Sequence, residues 1–199
     1  MATATFRTGT LTFEDFLDLV GDGQKADLLD GVIYMASPDN VPANDLNSWL
    51  DAVLRGFVDE RDLGNVYVSR VAYRLGLTGG PEPDLSYLPK KRQAARRRGF
   101  VLGPPALAIE IVSPDSFERD YVLKRRIYEE AGVLEYWIID PDERRATFLV
   151  LHRGRFQERK PVRHIWRSKV LPGFWLEVSC LWDEKRPSSY AVLKGLLEE

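Results

Sequence analysis

The sequence predicts an α/β fold in which helices flank both faces of a mixed β-sheet. A strand, a helix and a second strand follow one another between residues 106 and 139, the order that is typical of a βαβ unit. A long amphipathic segment at residues 42–62 predicts a helix that packs on a core. Strand pairs around the tight turns Asp30-Gly31 and Arg153-Gly154 add antiparallel neighbours. Together these patterns indicate a mixed sheet.

The N-terminal part of the chain is predicted to hold an arm, a short helix and a hairpin. Residues 1–10 are rich in Thr and Ala, and we expect a flexible arm there. Thr12 and Asp15 have the spacing of a capping box, which predicts the start of a helix. Strands at residues 26–29 and 32–36 are expected on either side of the first tight turn. The helical side chains expected to face the core are Phe13, Phe16 and Leu17.

The remaining elements are expected to complete a single domain at residues 11–199. A chain of 199 residues, 44% of them hydrophobic, is large enough to bury one substantial core. Besides the helix at residues 42–62, a further helix is predicted at residues 117–131. The other predicted strands lie at residues 65–77, 84–88, 106–112, 135–139, 146–151 and 155–158. The apolar positions of the long helix are Leu46, Trp49, Leu50, Val53, Leu54, Phe57 and Val58.

Composition narrows the class of protein. No stretch approaches the roughly 18 apolar residues of a membrane span, and the N-terminus lacks the basic-then-apolar pattern of a signal peptide. We therefore expect a soluble, cytoplasmic protein with no membrane partner. One cysteine, Cys180, excludes an internal disulfide and a cysteine-based metal cluster. His152 and His164 lack metal-ligand spacing.

Glu110 stands inside an otherwise apolar run at residues 106–112. Such a run, bounded by turn residues on both sides, predicts a strand that is covered on both faces. An ionised carboxylate in that place needs a cation, a cluster of donors or a metal, because removing an unpaired charge from water is expensive. The alternative is that Glu110 lies at the exposed end of the strand and pairs with an arginine. This segment alone does not decide between them.

Lys124 lies in the middle of an apolar stripe on the following predicted helix. At about 100° per residue, a lysine in that position is aimed at the protein, where it meets an acid or extends past its neighbours to solvent. The alternative partner is Asp120, one turn earlier, but such intrahelical pairs are worth only a few tenths of a kcal/mol. The stripe consists of Phe117, Tyr121, Tyr128 and Ala131.

Asp84 opens a short strand after the rigid residue Pro83. Alone, a Pro-Asp pair is a common turn signal. Its significance rises with Glu110 and Lys124 downstream, because two acids and a lysine are a minimal set for metal-assisted phosphodiester hydrolysis. Glu82 lies on the proline-rich approach to this strand, and we expect its side chain to be solvated.

Local charge points to nucleic acid more clearly than net charge does. The 28 Lys and Arg residues are offset by 30 Asp and Glu residues. Residues 90–98, which we call the basic segment, nevertheless place six cations in nine positions directly after the Asp84 strand. A positive surface beside the acids would contact backbone phosphates, whereas the alternative is a solvated or mobile segment. The six cations are Lys90, Lys91, Arg92, Arg96, Arg97 and Arg98.

Several motifs follow one another in a recognisable order. In chain order they are Pro83-Asp84, Glu110-Ile111-Val112-Ser113-Pro114-Asp115, Asp120 with Lys124, and the run at residues 128–140. Leu-Leu-Asp-Gly at residues 28–31 and Leu-Pro-Gly-Phe at residues 171–174 frame them. This order resembles the Uma family of putative restriction endonucleases, a branch of the PD-(D/E)-x-K nuclease superfamily. The resemblance covers roughly residues 11–183.

The resemblance implies a restriction-endonuclease-like fold and metal-dependent hydrolysis of DNA phosphodiester bonds. Carried over by residue, it makes Asp84 and Glu110 ligands of a divalent metal, Mg²⁺ or Mn²⁺, with Asp27 as a candidate for a further ligand. Lys124 would be the catalytic lysine. In the superfamily this lysine usually follows the acid by two residues, where this chain has Val112, so the next helix must supply it. DNA is the implied partner, and a homodimer would suit cleavage of two strands.

Two positions depart from the family pattern and leave two hypotheses open. Asp27 stands where the family commonly has Glu, and Asn44 stands near the start of the second helix, where the family commonly has a His. The first hypothesis is an active endonuclease. The second is a catalytically silent nuclease-fold protein that binds DNA or another protein, with the same residues held in salt bridges. The active form predicts that Asp84 and Glu110 converge in an open cleft, with the Lys124 ammonium nearby and the basic segment at its rim. Carboxylates that point to different faces of the sheet would contradict the endonuclease hypothesis.

Overall fold

A computed structural model describes residues 10–21, 24–38 and 40–198. The arm predicted at residues 1–10 lies outside these residues except for Thr10. The α-helices are α1 (Phe13–Leu19), α2 (Val41–Glu60), α3 (Arg125–Ala131) and α4 (Ser189–Glu198). Shorter helical segments are the 3₁₀ helices Lys90–Ala95 and Val178–Leu181 and the π-helix Arg119–Lys124. The strands are β1 (Ala26–Leu29), β2 (Val32–Met35), β3 (Gly64–Val68), β4 (Ala72–Arg74), β5 (Leu85–Pro89), β6 (Phe100–Leu102), β7 (Leu107–Ile111), β8 (Glu135–Asp140), β9 (Arg145–His152), β10 (Arg155–Arg159), β11 (Ile165–Arg167) and β12 (Trp175–Glu177).

Six strands form the central sheet in the order β10-β9-β8-β7-β5-β3. Strands β7 and β8 are parallel, and the other neighbours in this sheet are antiparallel. The π-helix and α3 make the crossover between β7 and β8, so the predicted βαβ unit and the predicted mixed sheet are confirmed. Three two-stranded sheets, β1-β2, β4-β6 and β11-β12, surround the central one. Within the described residues, no helix has both the length and the apolar character needed to cross a membrane.

Apolar side chains cover both faces of the central sheet. On one face, Trp137 and Ile139 of β8 pack with α2 and the C-terminal elements. On the other face, Tyr136 and Ile138 pack with Tyr128 of α3. Successive residues of β8 therefore enter different cores, as the two-residue period of a strand requires. This two-sided burial explains why β7 and β8 are almost uninterrupted hydrophobic runs.

Side-chain caps mark the starts of the two N-terminal helices, and the cap of α1 was predicted. The hydroxyl of Thr12 accepts a hydrogen bond from the Asp15 N–H at 3.1 Å, and the Asp15 carboxylate accepts one from the Thr12 N–H at 2.9 Å. This reciprocal pair confirms the capping box. At α2, the Asn40 side chain accepts from the Ala43 N–H at 2.8 Å. The α2 residues predicted to face the core are buried at Leu46, Leu50, Val53, Leu54, Phe57 and Val58 and partly buried at Trp49.

Three details of the fold differ from the prediction. The single strand predicted at residues 65–77 is divided, because Ser69 and Arg70 have φ values of 36° and 55°, outside the strand region. As a result β3 joins the central sheet, whereas β4 pairs in parallel with β6. Leu17 is 41% exposed, since α1 turns only its phenylalanines inward. The short strands β6, β11 and β12 and the helix α4 were not predicted.

Glu135, at the start of β8, anchors the C-terminal elements to the central sheet. Its side chain is fully buried, and its two carboxylate oxygens accept five hydrogen bonds, so the negative charge is satisfied by donors rather than by a cation. Burial still raises the pKa of Glu135 above its ordinary value. The donors are Trp137 Nε1 at 2.6 Å, Trp166 Nε1 at 3.1 Å, Ser168 Oγ at 3.1 Å, Lys169 N at 2.6 Å and Val170 N at 3.2 Å.

We predict that Glu135→Gln lowers the free energy of unfolding by about 2 kcal/mol, because the new amide NH₂ faces hydrogen-bond donors and leaves them unpaired. Urea unfolding measures the change. Glu143→Gln is the matched control, since Glu143 is exposed. Equal free energies of unfolding for the two variants would contradict the anchoring role of Glu135.

Candidate active site

Asp84 and Glu110 converge on one cavity, as predicted. Asp84 directly precedes β5, and Leu85 of β5 pairs with Ile109 of β7, which sets Asp84 beside Glu110. Asp84 Oδ2 accepts a hydrogen bond from the Ile111 N–H at 2.7 Å. Both acids are buried, and both line a cavity of about 130 Å³. The antiparallel pairing of β5 and β7 therefore places the two carboxylates together.

Lys124 is buried between carboxylates that come from different elements. Its Nζ lies 2.9 Å from Glu110 Oε2 and 3.0 Å from Asp27 Oδ2, but 3.7 Å from Asp120 Oδ1. The intrahelical pair with Asp120 is thus the longest of the three. Burial alone would lower the pKa of Lys124, but the carboxylates, Asp27 first among them, raise it well above its ordinary value. The surrounding carboxylates therefore favour the charged form of the Lys124 ammonium.

A π-helix, rather than the predicted α-helix, presents Lys124 to the cavity. It covers Arg119–Lys124 and passes directly into α3. Phe117, which the α-helical stripe places inward, is 48% exposed because it precedes this wider winding. Tyr136 OH donates a hydrogen bond to the Asp120 carbonyl oxygen at 2.9 Å. This bond gives a partner to a backbone group of the π-helix. π-helical turns are frequent at functional sites.

Asp27 belongs to the same cluster, whereas Glu82 lies outside the cavity and contacts Asp27 through its backbone N–H. Asp27, on β1, lines the cavity, and its Oδ1 accepts from the Glu82 N–H at 2.8 Å. Glu82 is buried rather than solvated, because the proline-rich approach lies against β1, and its Oε2 accepts from the Ala26 N–H at 3.2 Å. Burial raises the pKa of Glu82 to about 7. The expectation of a solvated Glu82 is therefore wrong.

The polar α2 residue that lines the cavity is Asn47, beside Ala43, and not Asn44. Asn44 is exposed and does not line the cavity. Asn47, one turn later, is buried and lines it, and its Oδ1 has no hydrogen-bond partner. Helical periodicity could have identified Asn47, because it follows Leu46 and precedes Leu50 on the inward face of α2. The departure from the family pattern at Asn44 therefore does not change the lining of the cavity.

Two further cations of the cavity were missed by sequence reasoning. Lys25 forms an ion pair with Asp84. Its position could have been predicted from Asp27, because residues two apart along a strand face the same side. Arg119 also lines the cavity. Its Nε lies 3.8 Å from Asp27 Oδ2 and has no hydrogen-bond partner. No α-helical pattern predicts Arg119 there, since residues five apart share a face only in a π-helix.

The cavity contains more acids than cations. Five carboxylates and three cations line it, so two negative charges lack a counter-charge when all are ionised. Burial raises the pKa of Glu110 to about 8 and that of Asp120 to about 6, in part because neighbouring acids repel their charge. The acids are Asp27, Asp84, Glu110, Asp115 and Asp120, and the cations are Lys25, Arg119 and Lys124.

This donor set fits a divalent cation by charge and by chemistry. Carboxylate oxygens are the ligands that Mg²⁺ and Mn²⁺ prefer, and a charge of two would balance the excess. Within the described residues, no three His, Cys, Asp or Glu side chains already stand in an arrangement that could hold a metal ion. Instead, the Lys124 ammonium lies between Glu110 and Asp27, and the Lys25 ammonium pairs with Asp84.

The basic segment does not lie at the rim of this cavity. Asp84 precedes the first residue of β5, whereas Lys90 follows its last, so about 20 Å of extended chain separates them. Among the described residues that line the cavity, none belongs to the basic segment. Lys90 pairs instead with Asp62, and Arg92 donates to the Pro104 carbonyl oxygen. The predicted position was wrong because a strand that begins directly after Asp84 and ends before Lys90 holds the acid and the basic segment at opposite ends.

Comparisons with known proteins bear on this fold and site. A crystal structure described as that of a putative nuclease belonging to DUF820, from Anabaena variabilis, superposes with a TM-score of 0.69. The two sequences are 18% identical, and the match covers 94% of this chain and 99% of that one, which shows a shared fold. No curated protein matches the sequence.

A family model spans most of the chain. It is the model of Uma2, described as "Putative restriction endonuclease", and it matches residues 13–179. The match includes all eight charged residues that line the cavity, from Lys25 to Lys124. With a nuclease-like fold around those residues, this chain belongs to the Uma2 family of putative restriction endonucleases.

Proposed function

We propose that this protein is a metal-dependent endodeoxyribonuclease that hydrolyses phosphodiester bonds of DNA. The observation that carries the proposal is the buried contact of Lys124 with Glu110 and Asp27 in the cavity that Asp84 also lines. These are the residue types of the PD-(D/E)-x-K superfamily, with the lysine supplied by a helix. Membership of a family of putative restriction endonucleases supports DNA as the substrate.

Asp84, Glu110 and Asp27 are the residues that would hold Mg²⁺ or Mn²⁺. When bound, such an ion supplies a water of lowered pKa and offsets charge on the phosphate oxygens. The excess of carboxylates over cations in the cavity supports this assignment, because a bound divalent cation would offset it. The three acids come from β1, the start of β5 and β7, so rigid strands position all of them.

The protein groups around the acids hold them in place before substrate arrives. Tyr128 OH donates to Glu110 Oε1 at 2.8 Å, and the Ile111 N–H fixes Asp84. Lys124 is 2% exposed, so its ammonium is a fixed positive charge that can orient a water or stabilise a developing oxyanion. Little reorganisation of these side chains is then needed during the reaction.

The proposal extends to the role of the basic segment, the oligomeric state and the cellular location of the protein. The basic segment would contact DNA phosphates at a distance from the cavity, as an extended duplex allows. A homodimer would provide two cavities for the two strands of a duplex. A cytoplasmic location would give the protein access to DNA.

One observation favours a second candidate, a catalytically silent DNA- or protein-binding module. Both oxygens of Asp84 and both oxygens of Glu110 already have partners in the cluster. If these contacts persist in the presence of a divalent cation, the site would be structural. The following two predictions separate the candidates.

We predict that Glu110→Gln lowers the rate of Mg²⁺- or Mn²⁺-dependent nicking of supercoiled plasmid by about 100-fold or more, because it removes a ligand charge from the reacting centre. Agarose gels measure the conversion to open circles. Glu130→Gln is the matched control, since that carboxylate is exposed on α3. Equal nicking by wild type and Glu110→Gln would show that the activity is a contaminant or lies elsewhere.

We predict that Mn²⁺ raises the Tm more at pH 8 than at pH 6. Burial raises the pKa of Glu110 from 4.5 to about 8, so at pH 6 the folded protein holds a proton that the metal must displace. Thermal unfolding with Mn²⁺ and with EDTA at each pH measures the difference. In Glu110→Gln the rise should be small and similar at both pH values. A rise of equal size at both pH values in the wild type would count against Glu110 as a ligand.

A further inference from the structure

The two lysines of the cavity differ in how firmly the fold holds them. The Lys124 side chain is 3% exposed and contacts acids from three elements. The Lys25 side chain is 19% exposed, and its ammonium forms an ion pair with Asp84 Oδ1. Lys25 precedes β1 and reaches the cavity from its edge. Lys25 is therefore the more exposed of the two lysines and has fewer acid partners to hold it in the cavity.

The ion pair occupies the oxygen of Asp84 that is free of backbone contacts. Asp84 Oδ2 accepts from the Ile111 N–H at 2.7 Å, and this bond depends on the pairing of β5 with β7. Oδ1 is the oxygen that can turn to another partner, and Lys25 holds it. A cation that binds Asp84 through this oxygen must therefore take the place of an ammonium group.

We propose that Lys25 occupies the cation position on Asp84 and is displaced when a divalent metal binds, so that Lys25 sets the metal affinity of the site. This inference rests on the proposed function, because it takes Asp84 to be a metal ligand. The exchange keeps a cation on the Asp84 carboxylate throughout, since the metal takes the place of the ammonium. The long, flexible stem of a lysine allows its ammonium to move from Asp84 to the solvent side of the cavity.

Arg119 provides a control for the effect of charge alone. It lines the same cavity and carries the same charge, but its nearest acid is Asp27, at 3.8 Å, rather than Asp84. Removing either cation makes the cavity more negative and attracts a metal by long-range Coulomb forces. Only removal of Lys25 also frees Asp84 Oδ1. A difference between the two variants therefore isolates displacement from general electrostatics.

The experiment is a titration of the full chain with Mn²⁺, in which electron paramagnetic resonance measures the free ion. No DNA is present, so the result does not depend on cleavage. We expect Lys25→Met to bind Mn²⁺ about fivefold more tightly than wild type, the size expected when one ion pair no longer competes. Arg119→Met should show a clearly smaller gain. Lys25→Gln serves as a second variant should Lys25→Met fail to fold, which circular dichroism in EDTA detects.

The possible results lead to different conclusions. Binding by Lys25→Met that matches wild type or Arg119→Met overturns the displacement while leaving the metal site intact. If Glu110→Gln and wild type both fail to bind Mn²⁺, and both lysine variants fail as well, the metal site of the proposed function is itself wrong, and the displacement with it. Tighter binding that is specific to the Lys25 variants supports the inference.

Discussion

The ion cluster around Lys124 is the contact on which the rest of the site depends. Its ammonium joins Glu110 of the central sheet to Asp27 of the β1-β2 hairpin, and the π-helix that carries it continues into α3. Removing one member would leave an uncompensated buried charge, which typically destabilises a protein by about 3–5 kcal/mol. The hairpin, the sheet and the crossover helix must therefore keep their mutual positions for the charges to be balanced.

A buried ion cluster of this kind is not explained by stability. Well-packed apolar residues of similar volume often replace buried ion pairs with no loss or with a gain in stability. Here two hydrophobic cores already cover both faces of the sheet. The cluster interrupts an otherwise apolar strand and leaves its cavity with an excess of acid. Such an arrangement is what a cation-dependent site requires, and the proposed endonuclease activity gives it a purpose.

The sequence predicted the parts of the fold and site that local patterns control. Amphipathic spacing located α2, the apolar run located β7, and the isolated Glu110 and Lys124 identified the cluster. It did not predict the π-helix, because the change of winding depends on tertiary contacts such as that of Tyr136 with the Asp120 carbonyl. Arg119 was missed for the same reason. The rim position expected for the basic segment was an avoidable error, because chain order already sets Asp84 at one end of β5 and the basic segment at the other.

The central claim is that Lys124 acts on the reaction and does not merely neutralise acids. Its most direct test is Lys124→Met, compared with wild type for Mn²⁺ binding and for plasmid nicking, with folding verified by circular dichroism. The account predicts that the variant still binds Mn²⁺ but nicks DNA about 100-fold more slowly or worse, because the fixed charge beside the reacting phosphate is gone. Nicking at the wild-type rate by the folded variant would contradict the account.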